Sequence, residues 1–469
     1  MLRDLAGVLM SVGLPWVTGT LWVRALWRSE QDKRGALSAG YGYVAGALAT
    51  TLVMRLIDLT GPRWSLAWIA LPMLALAACA WFGPKSQRSL REDWRRARSG
   101  LASVPTASRR LFWLFLAVCA IETTVIAVFV AWSLLLPLDA MAQWADKARV
   151  WYEYGRLLPF VDASDWYRFA DGLHFWDPNP GYPATAPLLQ VWTALCLGRW
   201  DESLINVPWP VVFVALGFAS YGQLRRLDAG PVKSIVCTYL LLSLPFLQVH
   251  GALAGMVDIF VGVAYGLAAM SLWQWVLTRQ RPDATLAVVM AIACALFKRE
   301  GVLWALTLAP ALVVAFHRRI GLALTALIAI AAIGYLLFGP TEANLMGYVL
   351  RTHFENVSLP VYQHMFVMDN WHLLWYAAIA MIAFNWRRLL QADVAPATVM
   401  MLAALGLVVV VFFYSTAAGG VDEESLLNRF LLQLVPALSF YLVLISTKPV
   451  QPTPNNAVGP VAAAAAPSA

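Results

Sequence analysis

The chain has 469 residues, of which 60% are apolar and 13% charged, with a mean hydropathy of +0.64 and a net charge of +7. A water-soluble protein of this length divides into several domains with polar surfaces, whereas apolar runs of roughly 20 residues recur here from end to end; the composition excludes a soluble protein and makes the bilayer the solvent. The positive balance does not point to nucleic acid, because the bases sit in short clusters between apolar runs, where they orient helices against a membrane.

The first run, Leu5–Val23, has no basic leader and no small-residue cleavage site and runs straight into Arg24, so it reads as a retained helix rather than a signal peptide. Spans at Ala36–Met54, Trp64–Phe82 and Leu111–Leu136 follow. Between Gly83 and Arg110, eight bases (Lys85, Arg88, Arg91, Arg95, Arg96, Arg98, Arg109, Arg110) face two acids, which predicts a cytoplasmic loop. The next loop, Leu138 to Pro183, is then outside. Its seven acids, four bases and eleven aromatic residues suit an outer headgroup-level surface.

Within this loop, Leu138 to Arg156 reads as a juxtamembrane helix, with Asp139 and Asp146 seven residues apart and therefore on one face, about 10 Å apart along the axis. Lys147 lies beside them. Asp139, at the junction of span and loop, suits a general base reached from both lipid and water, or an N-cap after Pro137. Asp146 suits a supporting role or a pair with a neighbouring base. His174, Trp166 and Trp176 suit stacking on a sugar or anchoring at the interface. Asn179–Pro180–Gly181–Tyr182–Pro183 predicts a rigid turn leading into Ala186–Leu197, which is too short to span comfortably and is placed as a helix at the outer surface.

Further spans are predicted at Leu204–Leu224, Ser234–Val249, Leu253–Leu277, Ile320–Phe338, His372–Phe384, Ala397–Tyr414 and Phe430–Ser446, separated by Arg225–Arg226–Lys233, Arg279–Arg281, Arg318–Arg319 and Arg387–Arg388. Asp258 interrupts its apolar span near the outer end. A carboxylate there is costly and is expected to face the protein interior or a cavity; Glu122 within Leu111–Leu136 carries the same cost and reads as a hydrogen-bonded helix-packing residue. Ala284 to Phe316 is apolar except for Lys298–Arg299–Glu300–Gly301 at its middle and has basic flanks. That pattern predicts a hairpin of two short helices with the charged turn outside, each arm roughly 21 Å long against a ~30 Å hydrocarbon core. Lys298 and Arg299 would lie near the outer headgroups, placed to bind a lipid phosphate or to snorkel. Arg429, after Asp422, Glu423 and Glu424, suits a phosphate contact or a bridge to those acids.

The count is about thirteen crossings in an all-α polytopic membrane protein, with the N-terminus outside and the C-terminus inside. The parts are residues 1–110 with three helices and the basic loop, 111–338 with the outer loop 138–203, 339–448 with an outer loop and the last helices, and a Pro- and Ala-rich tail, 449–469, that reads as disordered. The five cysteines, Cys79, Cys119, Cys196, Cys237 and Cys294, are isolated and read as packing residues.

Leu138-Asp139-Ala140-Met141-Ala142-Gln143-Trp144-Ala145-Asp146-Lys147-Ala148-Arg149 after a span resembles the start of the first outer loop in bacterial GT-C glycosyltransferases, relatives of protein O-mannosyltransferases and lipid A aminoarabinose transferases. Three further likenesses follow in the same order: Gly181-Tyr182-Pro183 to a His-Pro-Asp-Tyr-Pro-type turn, Gly255-Met256-Val257-Asp258 to a Gly-Tyr-Ala-Asp-type element, and Lys298-Arg299-Glu300-Gly301 to a Lys-Asn-Glu-Gly-type turn. Asn179 stands where such enzymes often have histidine, and Met256-Val257 replaces Tyr-Ala. The resemblance covers about Leu111 to Phe338 and, more loosely, Asn428-Arg429-Phe430.

The resemblance implies a GT-C-like helical bundle in a bacterial inner membrane with its active site facing the periplasm. Sugar would pass, with inversion, from a polyprenyl-phosphate-linked donor to a glycan, lipid or protein acceptor. Asp139 would be the base, Lys298, Arg299 and Arg429 the phosphate-binding cations, and Asp146, Lys147, His174, Tyr182, Asp258 and Glu300 substrate-binding or supporting residues. No cofactor is implied and no metal-ligand spacing appears, although five of the seven outer-loop acids are unassigned and leave room for a divalent cation. The competing reading is a transporter or flippase with Glu122 and Asp258 as ion or proton sites; its expected pair of interrupted helices in matching halves is missing from the sequence. A non-catalytic assembly or export subunit is a third reading and gives the acidic, aromatic loop no task.

Overall fold

The computed structural model describes residues 2–27, 35–83, 95, 98–169, 171–339, 342–345 and 348–447. The Pro- and Ala-rich tail and Lys85, Arg88, Arg91 and Arg96 of the basic cluster lie outside the described residues. The described chain is mainly helical. Its strands form two small pairs, Phe160–Val161 parallel to Phe175–Trp176 and Glu342–Leu345 antiparallel to Tyr348–Arg351.

Among the described residues, eight helices are long and apolar enough to cross a membrane: Leu2–Ala25, Gly35–Thr60, Thr106–Trp132, Leu204–Arg226, Asp258–Thr278, Arg318–Phe338, Ala395–Phe413 and Leu426–Ser446. A bent pair, Pro231–Leu242 and Pro245–Ala252, makes a ninth if counted as one span. The expected thirteen is therefore corrected. Leu66–Phe82 and Arg281–Phe297 have 17 residues each and Leu374–Phe384 has 11. At 1.5 Å per residue, even the 17-residue helices reach only about 25 Å, short of a ~30 Å core.

Two breaks have local causes. Pro245 offers no N–H and keeps Leu244 extended (φ −63°, ψ 124°), so the predicted span Ser234–Val249 bends by 68° there. Gly255 takes φ +97°, so the predicted span Leu253–Leu277 becomes helical only from Asp258. Asp258 thus opens its helix instead of interrupting it. A side chain at Gly255 would also collide with Ala140 and Leu135. That close approach brings the beginning of the Asp258 helix against the start of the long loop after Thr106–Trp132.

The Asp258–Thr278 helix is central, with 89% of its apolar window buried; Thr106–Trp132 and Arg318–Phe338 are peripheral, at 11% and 6%. The outward rows of aliphatic side chains on the peripheral helices, Leu114, Ile121, Val125, Leu327 and Ile330 among them, would be intolerable in water and suit lipid. One apolar core runs from Val23 to Ile445 through all three predicted helical segments. A buried hydrogen-bond cluster joins the N-terminal helices to it: Tyr41 Oη donates to the Leu267 carbonyl (2.9 Å) and accepts from Gln223 (2.7 Å) and Ser271 (2.8 Å).

Thr185–Leu197 is helical, as expected, but it does not lie on a surface. Ala186, Leu188, Leu189, Val191, Trp192 and Ala194 are buried, and the Trp192 indole donates to the Ser11 carbonyl of the first helix at 2.9 Å. A thirteen-residue helix with apolar residues on every side buries itself in the protein. All five cysteines are unpaired.

The Lys298–Gly301 turn links Arg281–Phe297 to Gly301–Leu306 as a tight hairpin. A side chain at Gly301 would collide with the Cys294 carbonyl, so only glycine lets the two arms meet. The hairpin turn, the first turn of Asp258–Thr278, the first turns of Glu424–Ser446 and the start of the long loop converge at one end of the bundle.

Candidate functional site

After Thr106–Trp132 the chain is irregular to Pro137 and then resumes through a widened π-type turn, Ala140–Ala145, into the helix Asp146–Tyr154. A π turn carries one residue more than an α turn, which rotates the succeeding helix by roughly 100°. The predicted common face for Asp139 and Asp146 is therefore lost. Asp139 lines one cavity, of about 290 Å³, and Asp146 another.

In the first cavity Asp139 Oδ2 accepts a hydrogen bond from Arg429 Nη1 at 2.7 Å, while Oδ1 has only the weak approach of Gln143 Nε2 at 3.5 Å. One carboxylate oxygen is clamped and the other keeps lone pairs for an incoming hydroxyl. Asp258, 1% exposed, is fully engaged: Oδ1 accepts from Lys298 Nζ (3.0 Å) and Gln433 Nε2 (2.7 Å), and Oδ2 from Arg429 Nε (3.0 Å). Arg429 thus bridges two carboxylates. It pairs with neither Asp422 nor Glu423, its neighbours in sequence, among the described contacts.

Lys298 is paired within the cavity: Asp258 holds its ammonium at 3.0 Å and Glu300 Oε1 lies 3.8 Å away. Arg299 is different. Among the described residues it makes no ion pair or side-chain hydrogen bond, its Nε is buried without a partner, and its guanidinium lies 5.5 Å from the centre of the Tyr182 ring. Three carboxylates, Asp139, Asp258 and Glu300, and three cations, Lys298, Arg299 and Arg429, line this cavity. A guanidinium with no carboxylate partner among the described residues keeps donors that can bond an anion.

Tyr182 closes one side. Its hydroxyl donates to Glu300 Oε1 at 3.0 Å and its ring packs against Trp144, centroids 5.0 Å apart. Burial, with Glu300 beside it, pushes the phenol above its ordinary pKa, so Tyr182 is a hydrogen-bond donor and not a base. The predicted turn is present, with the Tyr182 N–H donating to the Asn179 carbonyl at 3.1 Å. Lys147 braces it from behind. Its ammonium reaches the Asn179 carbonyl at 3.0 Å and Asp177 Oδ2 at 3.1 Å, with the two side chains 2% and 0% exposed. Burial lowers the Lys147 pKa and raises that of Asp177, each against the pull of the other's charge. Lys147 is therefore a positioning residue, outside the cavity.

His174 is not in the site either: it stacks on Phe169 at 3.7 Å and is bonded to Asp171 at 3.0 Å. Glu122 lies on the peripheral Thr106–Trp132 helix, away from the residues lining either cavity. Sequence reasoning does not single out Gln143 or Gln433. Each stands four residues after a charged site residue, Asp139 and Arg429, and that i,i+4 spacing is the signal that finds them. A second support is Asn428, which accepts from the Trp371 indole (3.0 Å) and donates to His364 Nδ1 (3.1 Å), while His364 Nε2 donates to the Val421 carbonyl (2.8 Å). This chain of bonds fixes the helix start that aims Arg429.

Among the described residues, no three His, Cys, Asp or Glu side chains are grouped as metal ligands. The cavity can deprotonate a hydroxyl at Asp139 and hold a phosphate at Arg299. No family model, no curated protein and no solved structure matches this chain.

Proposed function

We propose that the protein is a membrane glycosyltransferase of GT-C type that transfers a sugar from a polyprenyl-phosphate donor to an acceptor hydroxyl on the periplasmic face of a bacterial inner membrane. The observation that carries this reading is the cavity that joins Asp139 to an uncompensated Arg299 at the end of a lipid-exposed helical bundle. The acceptor oxygen bonds to the anomeric carbon, the bond from that carbon to the phosphate oxygen breaks, and the sugar is inverted. The acceptor proton goes to Asp139 Oδ1 and the bonding electron pair leaves on the phosphate, where Arg299 meets the growing charge. Arg429 lies between Asp139 and Asp258 and can shift part of its hydrogen bonding to the phosphate, which would strengthen Asp139 as a base.

Transfer from polyprenyl-phosphate sugars by the protein in lipid nanodiscs tests the reading. Arg299→Ala is expected to lower donor use by the loss of a charge-assisted hydrogen bond, about 1.5–3 kcal/mol or tenfold and more, with little change in melting temperature because no ion pair is broken. Normal turnover by Arg299→Ala would take the phosphate away from this cavity.

The sidedness is tested separately. In a background without native cysteines, Asp165→Cys should react with an impermeant thiol reagent from the periplasmic side and Arg281→Cys should not; the Asp165 side chain is 45% exposed and Arg281 is exposed. The reverse pattern would turn the site toward the cytoplasm and remove the periplasmic acceptor.

A further inference from the structure

The second cavity, about 440 Å³, is lined by Asp146 with Trp166, Tyr167, Phe175 and Trp176. Trp166, Tyr167 and Trp176 are 43%, 83% and 47% exposed, so ring surface remains for a ligand. Most of these rings are not loosely hung. Phe175 and Trp176 pair in register with Phe160 and Val161, Phe175 packs on Phe160 and Tyr154, and the Trp166 indole donates to the His174 carbonyl at 3.0 Å. The Asp146 carboxylate makes no hydrogen bond or ion pair among the described residues. Burial, with Asp177 nearby, raises its pKa.

Two chain segments serve both cavities. The stretch from Asp139 to Val150 gives Asp139 and Gln143 to the first and Asp146 and Val150 to the second, and the stretch from Phe175 to Tyr182 gives Phe175 and Trp176 to the second and Asn179 and Tyr182 to the first. The buried Lys147–Asp177 pair pins the two segments together between the cavities. A ligand in the second cavity therefore sits at a fixed offset from Asp139.

Flat aromatic faces beside a carboxylate with free lone pairs match one ligand chemistry closely: a pyranose ring, whose C–H faces lie on the rings while its hydroxyls donate to the carboxylate. A purely apolar ligand would leave Asp146 desolvated and unpaired. We propose that this second cavity is a subsite for a non-reacting sugar ring of the acceptor, held at a distance from the hydroxyl that meets Asp139. The assignment to an acceptor rests on the transferase reading; the sugar-binding chemistry stands on the cavity alone. Binding energy from such a ring orients the reacting hydroxyl, so the acceptor class is a saccharide of at least two rings rather than a bare lipid or protein side chain.

The full-length protein in nanodiscs, probed with an array of neutral, amino- and uronic-acid oligosaccharides and then titrated with the best binder, tests this. Wild type is expected to bind at least one saccharide, and Trp176→Ala and Asp146→Ala to weaken it about tenfold each without lowering the melting temperature. No saccharide bound, or affinity unchanged in Trp176→Ala, overturns the subsite. Binding of tetramethylammonium in place of any saccharide overturns it too and assigns the aromatic cage to a cation. Donor turnover in the same preparation separates the two readings: turnover without saccharide binding removes the subsite alone, and saccharide binding without turnover keeps the sugar site and removes the transferase.

Discussion

Asp139→Asn is expected to cut sugar transfer by about 10²–10⁴-fold, the range that a positioned base contributes, while leaving the protein inserted and folded. Asparagine keeps the side chain's size, and its one oxygen can still accept the 2.7 Å hydrogen bond from Arg429 Nη1, so the clamp on that side survives. The lone-pair oxygen facing Gln143 is then replaced by an amide N–H₂, which cannot take a proton. A structural role for Asp139 predicts a small loss; a base predicts a near-complete one. Asp146→Asn is the matched comparison at saturating acceptor, where loss of a contact in the second cavity is expected to cost far less than loss of the base. Transfer by Asp139→Asn within about threefold of wild type would falsify its assignment as the base.

How the site could be read from sequence divides along physical lines. Apolar runs and the cost of a carboxylate in hydrocarbon made the bundle legible and pointed to Asp258, because both follow from composition within a short window. Asp139, Lys298 and Arg429 line one cavity, although Asp139 and Arg429 lie 290 positions apart in sequence. What sequence did not carry was pairing. Lys298 and Arg299 are adjacent and chemically alike, yet the hairpin turns Lys298 onto Asp258 and Arg299 onto Tyr182, and nothing local distinguishes them. The π turn at Ala140–Ala145 was equally hidden, since one extra residue in a turn leaves no mark in the apolar pattern but moves Asp146 from one cavity to another. The burial of Thr185–Leu197 is hidden for a different reason: length measured against the bilayer says nothing of protein, and a short apolar helix can bury itself there instead.

The largest effect on the fold is expected from Asp258. It is the shared counter-ion of Lys298 and Arg429; Arg429 also reaches Asp139, and Glu300 stands 3.8 Å from Lys298. Asp258→Asn removes the charge and points either an N–H₂ group or a single neutral oxygen at two cations inside the bundle. Breaking a buried pair in this way costs about 3–5 kcal/mol, more than the replacement of the whole pair by apolar groups, because it leaves charge without an opposite partner. A large drop in melting temperature, and loss of transfer with it, should follow. Loss of activity alone does not separate a structural from a catalytic role, so the decisive variant is Asp258→Asn combined with Lys298→Met. Removing one stranded cation should restore a substantial part of the stability, giving a coupling of about 0.5–3 kcal/mol between the two positions, while transfer stays low because Arg429 is no longer held toward the phosphate. Additive losses in the double variant, or an Asp258→Asn protein as stable as wild type, would show that Asp258 does not hold the two cations together and would leave the charge balance of the cavity to Asp139 and Glu300.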